Sequence, residues 1–432
     1  MQEIKSIAAQ ALTALQQGGA NKGAVSAAVR ETKEFNVDNG KFSLFRTLYD
    51  HALSLTALCD GKRGTVGINR FDDAAVADAV QNCLEVANSG KADPAFDIAP
   101  AQPAQQFALG APVCDTERLF ARTQELLQTI QTRHPKIVVE QMIVSHTQNR
   151  SVFTNSNGVL YERYSGVYAV ELTYSAHEGT LTSSFCSSGV LTDRLDRPFY
   201  SLGSIAAELA DAEQQIHVKP VSGKFTGTLV LTPGCFAELL WAALDNFAED
   251  TALISGTSIW KDRLGTVVAD PRLTVSLRPF DPRIVCGERV TDDGFFAEDF
   301  DVIEKGVLRS FLLSLYAANK TGLPRAKNSS GALIVAPGDT PLQTLIGSVE
   351  RGLLVGRFSG GEPSANGDFS GVAKNSFLIE NGKIAGAVSE TMISGNLAAL
   401  LQNLRGLSVQ TVEDGATSLP WAAFDGVTIS GK

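Results

Sequence analysis

The chain has 432 residues, of which 44% are apolar and 19% are charged, and its formal net charge is −10. This length allows two or three domains with separate cores, and the composition is ordinary for a globular protein. Binding to phosphates requires clustered Lys and Arg, and the sequence has neither a basic run nor a basic helix face, so we expect no nucleic-acid partner. No stretch of 18 apolar residues occurs, so we expect no membrane-spanning helix.

The first 20 residues have the pattern of an amphipathic helix and lack the apolar core and cleavage signal of a secretory peptide. We interpret the cysteines as reduced, buried thiols of a cytoplasmic protein. A disulfide framework is the less favoured interpretation. The sequence has six cysteines and no C-x-x-C pair: Cys59, Cys83, Cys114, Cys186, Cys235 and Cys286.

Residues 1–112 alternate helix and strand patterns, which predicts an N-terminal α/β region. Asp72 is placed to cap one of its helices and Gly90 to end it. The predicted elements are a helix at 1–18, extended segments at 24–35 and 40–59 joined by the turn Asp38-Asn39-Gly40, a helix from Asp72 to Val86, and a proline-punctuated surface linker at 91–112.

Residues 113–220 predict a central region with the order helix, antiparallel meander, helix. The first helix runs from Asp115, its expected cap, to Arg133, and Pro135 stops it. The meander covers 137–190 with a turn at Asn155-Ser156-Asn157-Gly158, and the second helix covers Ser204 to Gln215.

Residues 221–432 predict a β-rich C-terminal domain, so the whole chain is expected to be α+β. The main elements are a strand at Thr226–Leu231, a helix that includes Leu239–Asp250, a hairpin turning at Asn381-Gly382, a helix at about 395–404 and a last strand at 422–429.

Several short motifs occur in a fixed order along almost the whole chain, and as an ordered set they resemble the TldD/PmbA family, formerly called modulators of DNA gyrase. The last of them are typical of the PmbA (TldE) branch. They are Val29-Arg30-Glu31-Thr32-Lys33-Glu34-Phe35, Asn155-Ser156-Asn157-Gly158, Gly256-Thr257-Ser258, Asp262-Arg263-Leu264-Gly265, Asp293-Gly294, Glu304-Lys305-Gly306-Val307-Leu308, Gly367-Asp368-Phe369-Ser370-Gly371, Glu380-Asn381-Gly382-Lys383 and Ile393-Ser394-Gly395-Asn396-Leu397.

This resemblance implies a metallopeptidase-like protein that pairs with a TldD-type zinc subunit and trims extended or unfolded peptides in a closed cavity. TldD-type chains carry H-E-x-x-x-H on the helix at 239–250. Here Trp241, Ala242 and Asn246 stand at those three positions. Indole does not ligate zinc, alanine cannot act as a base and a carboxamide is a poor zinc ligand, so the resemblance implies a subunit without the metal.

The distribution of ligand-type residues gives the same expectation independently. No two of the five histidines are four residues apart, so no helix offers an i, i+4 zinc pair. No His follows His217 and no Cys follows Cys286, so the late ligand of TldD-type chains has no counterpart. We therefore expect no catalytic residue and no metal ligand in this chain, and zinc only in a TldD-like partner.

A peptide cleft is predicted at Trp241, Asn246, Gly367, Asp368 and Ser370. The alternatives are that Trp241 packs into the core and that the 359–370 loop is flexible, with glycines at positive φ. In the functional interpretation, the exposed backbone of this loop pairs with an extended peptide as an added strand. Glu249 matches an acidic position of TldD-type chains, although a solvated charge at a helix end is the more common role.

Other nucleophile sites are weakly indicated. Both G-x-x-S-G runs, at 356–360 and 367–371, lack the G-x-S-x-G spacing of a nucleophile elbow. A serine-protease site in which the catalytic His precedes the Ser in the chain stays open. Cys186 lies near His177, but a reactive thiol needs a specific electropositive site. The favoured function is a non-catalytic, peptide-enclosing subunit. The alternative is a homodimeric peptide-binding or chaperone-like protein, and the third possibility is a peptidase with an unrecognised site.

Overall fold

The structure is a computed structural model that describes residues 1–329 and 331–431. It confirms the α+β prediction, since both helices and two strand-rich sheets are present. None of the helices in these residues is long and apolar enough to cross a membrane.

The first sheet takes all its strands from the first half of the chain. Its order is β3-β2-β1-β5-β6-β4, with β7 and β8 also paired to β6, and every pairing is antiparallel except β4 with β6. The strands are β1 Lys22–Asp38, β2 Lys41–Cys59, β3 Lys62–Ile68, β4 Gln105–Gly110, β5 Ile137–Asn155, β6 Leu160–Glu178, β7 Leu181–Thr182 and β8 Cys186–Thr192.

Two separate apolar clusters fasten helices to this sheet. One contains buried residues of α1 and α2 and the other contains buried residues of α3 and α4. Asp72 caps α2 by accepting from the Ala75 N–H at 3.1 Å, and Asp115 caps α3 by accepting from the Arg118 N–H at 3.0 Å, as the sequence predicts. The helices are α1 Gln2–Gln17, α2 Asp73–Ser89, α3 Thr116–Arg133 and α4 Ile205–Gln214, with a 3-10 turn at Phe199–Ser201.

The segment at 91–112 is more ordered than the predicted linker. Ala99 is fully buried, and its carbonyl accepts from the side-chain amides of Asn155 and Asn157, both at 2.9 Å. The segment then adds β4 to the sheet beside β6. Prolines prevent helix formation here but do not prevent the intervening residues from pairing.

The second sheet is mixed and takes its strands from residues 224–430. Its main order is β12-β11-β10-β13-β21-β9-β14-β17-β18, while β19 joins β21 to β16, β16 joins β15, and β20 pairs with β21. The strands are β9 Lys224–Leu231, β10 Val275–Leu277, β11 Phe300–Glu304, β12 Val307–Leu308, β13 Leu333–Val335, β14 Arg351–Val355, β15 Arg357–Gly360, β16 Asp368–Lys374, β17 Phe377–Glu380, β18 Lys383–Ala387, β19 Thr391–Asn396, β20 Leu404–Glu413 and β21 Ser418–Ser430.

The largest apolar cluster of the described chain lies between this sheet and its longest helix, α5. The hairpin at Asn381-Gly382 forms as expected, with both turn residues at positive φ. The helices of this half are α5 Pro233–Phe247, α6 Asp250–Ile254, α7 Leu315–Thr321, α8 Leu342–Gly347 and α9 Leu397–Gln402.

The predicted domain boundaries at residues 112 and 220 would separate units that fold independently, and they stay predictions. β1 and β5 pair along their length although they lie on opposite sides of residue 112. Residue 220 lies between the last strand of the first sheet and the first strand of the second.

Candidate functional site

Helix α5 carries the residues at the centre of the sequence prediction. Thr232 caps it by accepting from the Cys235 N–H at 3.5 Å, and Pro233 occupies the first turn, where a missing N–H is harmless. Because apolar residues recur at helical spacing, one face is buried in the main core. The opposite face leaves a stripe that is exposed or half-buried: Glu238, Trp241, Ala242 and Asp245, with Glu249 following just beyond the end of the helix.

Trp241 packs on the core and also borders a cavity, while its place in a peptide cleft stays a prediction. Its side chain is half-buried and packs against the main core cluster. It also forms part of the wall of a cavity of about 240 Å³ beside the end of α5. The cavity is bounded by Trp241, Glu249, Asp250, Leu277, Thr291, Asp292, Asp293, Leu312, Leu313, Ser314, Arg325, Ala326, Asn328 and Ser329.

Two of the cavity carboxylates have structural partners. Asp250 accepts from the Ser314 N–H at 2.9 Å and from the Ser314 hydroxyl at 2.5 Å, which ties α6 to the start of α7. Asp293 accepts from the Leu315 N–H at 2.8 Å and from the Thr291 hydroxyl at 2.5 Å. Both carboxylates therefore fix the cavity wall.

Arg325 is the one cation among the described residues of the cavity wall. Its guanidinium lies 3.8 Å from the centroid of the Phe295 ring, and Nη1 is 3.5 Å from Asp293 Oδ1. The wall also contains the carboxylates of Glu249, Asp250, Asp292 and Asp293. Even without Glu249, three aspartates against one guanidinium make the cavity better suited to a cationic group than to an anion.

Glu249 is half-buried in this wall, whereas the sequence favours a solvated charge at the helix end. Burial is the main cause, and the nearby charges of Asp245 and Asp250 the lesser one, that together raise the pKa of Glu249 to about 7. The native state therefore holds a proton on this group up to neutral pH, where an ordinary glutamate is ionised.

We expect Glu249→Gln to stabilise the protein above neutral pH. The pKa of Glu249 is raised from 4.5 to about 7 in the folded chain. The stability contribution linked to this shift is therefore fully present below pH 4.5, where the group is protonated in both the folded and the unfolded chain. That contribution is lost as the pH rises through 7, and glutamine stays neutral throughout. Thermal unfolding at pH 5 and pH 8.5 should show little change at the lower pH and a melting temperature higher by roughly 1–4 °C at the upper pH.

The matched control for this prediction is Asp262→Asn, which removes a carboxylate from an exposed loop. This substitution should change the melting temperature by the same small amount at both pH values. An equal shift of Glu249→Gln at pH 5 and pH 8.5 would contradict the raised pKa.

Asn246 directs its side chain to its own helix. The Nδ2 group donates to the Ala242 carbonyl at 2.9 Å, and the residue is half-buried. It is absent from the cavity wall, so the structure separates it from Trp241, the other predicted cleft residue of α5.

The predicted glycine-rich site lies at the start of β16. Gly367 is buried with a φ of +89°, and a Cβ on it would lie 2.6 Å from Cζ of Phe247 in α5. Asp368 accepts from the side-chain amides of Asn366 at 3.0 Å and Asn396 at 2.9 Å, and these bonds lower its pKa. Ser370 is exposed on β16. The structure thus brings Gly367 to α5, places Asp368 in a separate network with two asparagines and leaves Ser370 exposed. Neither Asp368 nor Ser370 belongs to the cavity wall.

An open strand edge lies next to this region, where the sequence pattern predicts only a loop. β15 pairs with β16 alone among the described strands. Ser359 and Gly360 are exposed, while Phe358 packs on Phe369 with ring centroids 5.7 Å apart. At the start of the strand, the Arg357 guanidinium lies 4.8 Å from the ring centroid of Phe185, which is 55% exposed.

The open edge and the exposed stripe of α5 are neighbours. Cys235 and Glu238 in the first half of α5 lie beside the backbone of Phe358. An extended chain could pair with β15 while its side chains contact the stripe of α5. The alternation of Arg357 and Ser359 with Phe358 was the available sequence signal for this strand.

The histidines and cysteines do not form an evident catalytic group in the described chain. No group of three or more His, Cys, Asp or Glu residues is arranged to hold a metal ion within residues 1–329 and 331–431. Burial raises the pKa of Cys186 to about 11, so its thiol is protonated at neutral pH. His177 Nε2 instead lies 2.9 Å from the Ser175 hydroxyl. All six cysteines are free thiols.

Comparison with known proteins gives consistent results. A family model described as the PmbA/TldA metallopeptidase C-terminal domain matches residues 222–431. The chain is 24% identical over 415 residues to Metalloprotease PmbA of Escherichia coli O157:H7, covering 91% of this chain and 89% of that protein.

Two solved structures share the fold over nearly their full length. TldE from Thermococcus kodakarensis has a TM-score of 0.85 and 17% identity, covering 98% of this chain and 100% of that one. A Bacteroides thetaiotaomicron protein named as a candidate modulator of DNA gyrase has a TM-score of 0.87 and 22% identity, covering 99% of each chain.

Proposed function

Because the chain belongs to the TldD/PmbA family, we propose that it is a non-catalytic, PmbA/TldE-like subunit of a cytoplasmic metallopeptidase. In this role it binds and encloses extended or unfolded peptides. A TldD-like partner subunit, which carries the zinc site, cleaves them. The proposal assigns no cofactor to this chain.

The observation that carries the proposal is the side-chain set on the exposed half of α5. Trp241 and Ala242 lie on the open stripe and Asn246 bonds to the Ala242 carbonyl. Zinc in a catalytic site is held by three protein ligands, usually imidazole with carboxylate or thiolate. The helix instead offers an indole, a methyl group and an amide whose nitrogen is already bonded, so these residues do not fit zinc.

The same helix supports a peptide-binding role. Its open stripe lies beside the cavity at Trp241 on one side and the free edge of β15 on the other. Strand addition to such an edge uses backbone hydrogen bonds, which every peptide sequence offers, so one edge can accept many unfolded chains. Ser359 and Gly360 are exposed, so their backbone is open to such pairing.

The alternative function is that of a homodimeric peptide-binding or chaperone-like protein without a protease partner. The feature that favours it is a second open strand edge, in the outer half of β2, with several exposed apolar side chains. The presence of a TldD-type gene in the same genome would favour the peptidase role, and its absence would favour the alternative.

Backbone pairing predicts a specific response to N-methylated peptides. In an added strand, alternate N–H groups point towards the edge of the protein and the others point away. Two versions of one unstructured peptide should therefore differ, one methylated at odd and the other at even backbone nitrogens. We expect one version to bind at least about tenfold more weakly than the parent peptide, and the other to bind about as well.

Titration of labelled peptides followed by fluorescence anisotropy measures this difference. Equal affinity of both methylated versions and the parent peptide would contradict strand addition. Equal loss in both versions would show that the peptide binds in another conformation. Neither result would depend on whether a zinc partner is present.

A further inference from the structure

The wall of the cavity beside the end of α5 contains a buried hydrogen-bond acceptor that has no donor. Asn328 belongs to this wall and is only 1% exposed. Its amide nitrogen donates to the carbonyls of Leu277 at 3.2 Å and Glu298 at 2.7 Å, which fixes the orientation of the amide. The amide oxygen has no hydrogen-bond partner in the part of the chain that the structure describes. Buried acceptors are seldom left unpaired, so this oxygen points to a donor that a ligand brings into the cavity.

The charge of the wall indicates which kind of donor fits. Asp250, Asp292 and Asp293 contribute three carboxylates, and Arg325 contributes one guanidinium. The guanidinium already lies against the Phe295 ring and Asp293. Asp292 is exposed and has no hydrogen bond or ion pair through its side chain among the described residues. The excess of negative charge favours a positively charged donor over a neutral one.

The rest of the wall provides room and an aromatic surface. The cavity volume of about 240 Å³ is many times the roughly 10–15 Å³ that one water molecule needs, so the space admits a group the size of a side chain. Leu277, Leu312 and Leu313 offer apolar surface to a methylene chain. The half-buried indole of Trp241 lies in the same wall, and indole is the aromatic ring that attracts cations most strongly.

The arrangement of the carboxylates favours an ammonium group over a guanidinium. A guanidinium binds best to a carboxylate with both oxygens free, because two parallel N–H groups then donate to it. Both oxygens of Asp250 already accept from Ser314, and the two oxygens of Asp293 accept from Thr291 and Leu315. An ammonium has three donors that point in different directions and can use single acceptors.

We propose that this cavity binds one primary ammonium group of the enclosed peptide, either a lysine side chain or the free amino terminus. The ammonium lies among the carboxylates and the indole of Trp241, and it supplies the donor that Asn328 lacks. The inference rests on the proposed peptide-binding function and adds a substrate class to it, namely peptides with an accessible primary amine.

Three versions of one unstructured peptide, each labelled at its C-terminus, test the charge and its source. The first has a single lysine and an acetylated amino terminus. The second has Nε-acetyllysine at that position and an acetylated terminus, and the third has Nε-acetyllysine and a free amino terminus. Fluorescence anisotropy with the full chain gives each dissociation constant. We expect the second peptide to bind at least about tenfold more weakly than the first if lysine is the source, or than the third if the amino terminus is the source.

Variants of the chain locate this preference in the cavity. Asp292→Asn removes a carboxylate from the wall, and asparagine is well tolerated in a turn such as Asp292-Asp293-Gly294. We expect it to reduce the preference for the charged peptide to about threefold or less. The matched control is Asp78→Asn, which removes an exposed carboxylate from α2 beside the first sheet and should keep the full preference. This control separates the cavity from the general attraction of a cation by a chain with a net charge of −10.

Two results would overturn the inference. Equal affinity of all three peptides would show that the cavity does not recognise an ammonium group, while peptide binding itself would stand. A preference that both variants reduce equally, or that neither reduces, would place the effect outside the cavity. Binding of none of the three peptides would instead contradict the proposed peptide-binding function, and the inference would fall with it. Thermal unfolding of both variants checks that the fold is retained.

Discussion

Replacing Gly367 with alanine is expected to lower the free energy of unfolding by roughly 2–4 kcal/mol. Two causes combine at this position. Its φ of +89° is a backbone conformation that L side chains rarely adopt, and a Cβ would lie 2.6 Å from Cζ of the fully buried Phe247. Phe247 cannot move away easily, because its ring also packs against Trp260 with centroids 5.0 Å apart.

The control is Gly361→Ala, in the same loop between β15 and β16. Gly361 is exposed, and a Cβ on it would meet no atom within 4 Å. Chemical denaturation of both variants should therefore show a large loss for Gly367→Ala and little change for Gly361→Ala. Equal stability of the two variants would mean that Gly367 is not held against α5.

Trp241→Ala is expected to weaken the binding of an unstructured peptide about thirtyfold, if the cavity beside α5 belongs to the peptide site. Trp241 forms part of the cavity wall and offers a large, half-buried surface next to the acidic side chains. Truncation of a tryptophan at the centre of a binding surface commonly removes about 2 kcal/mol of binding free energy. Fluorescence anisotropy with the peptide used for the N-methylation experiment measures the change.

Trp421→Ala is the matched control for this substitution. Trp421 is also half-buried, but it packs against a different apolar cluster around α8 and lines neither the cavity nor β15. We expect it to reduce stability while leaving peptide affinity within about twofold. An equal loss of affinity in both variants would indicate a general effect on folding, and no loss in either would remove the cavity from the site.

Much of the fold follows from local sequence signals. Asp72 and Asp115 cap the helices that their positions predict, and the Asn381-Gly382 turn forms its hairpin. These features depend on residues within a few positions of each other, so a single sequence contains the information. Period-two patterns likewise placed the meander of β5 and β6.

The candidate site was less predictable because it depends on long-range packing. Trp241 was identified from α5 itself, but Arg325 and Asn328 reach the cavity only through the arrangement of the second sheet. The sequence does not reveal whether the side-chain amide of Asn246 is free or, as in the structure, hydrogen-bonded to the Ala242 carbonyl. Which strands are left at an edge depends on the order of strands in the sheet, which the sequence pattern does not specify.

Dependence on strand order also explains why the segment at 359–370, predicted as a loop, contributes to a sheet at both ends. The glycines and Pro363 between Ser359 and Ser370 favour a loop, yet the two ends of the segment form β15 and β16. Gly360 and Gly371 lie opposite each other in that pair, where a lack of side chains permits close packing of Phe358.

We propose that this chain supports peptide cleavage but does not perform it. The most direct test is the cleavage of an unstructured peptide by this chain alone, by the H-E-x-x-x-H paralogue of the same organism alone, and by their mixture, each with and without a chelator. We predict no cleavage by this chain alone and efficient cleavage by the mixture that the chelator abolishes. Cleavage by this chain alone at the rate of the mixture would contradict the account, because it would require a catalytic site within this chain.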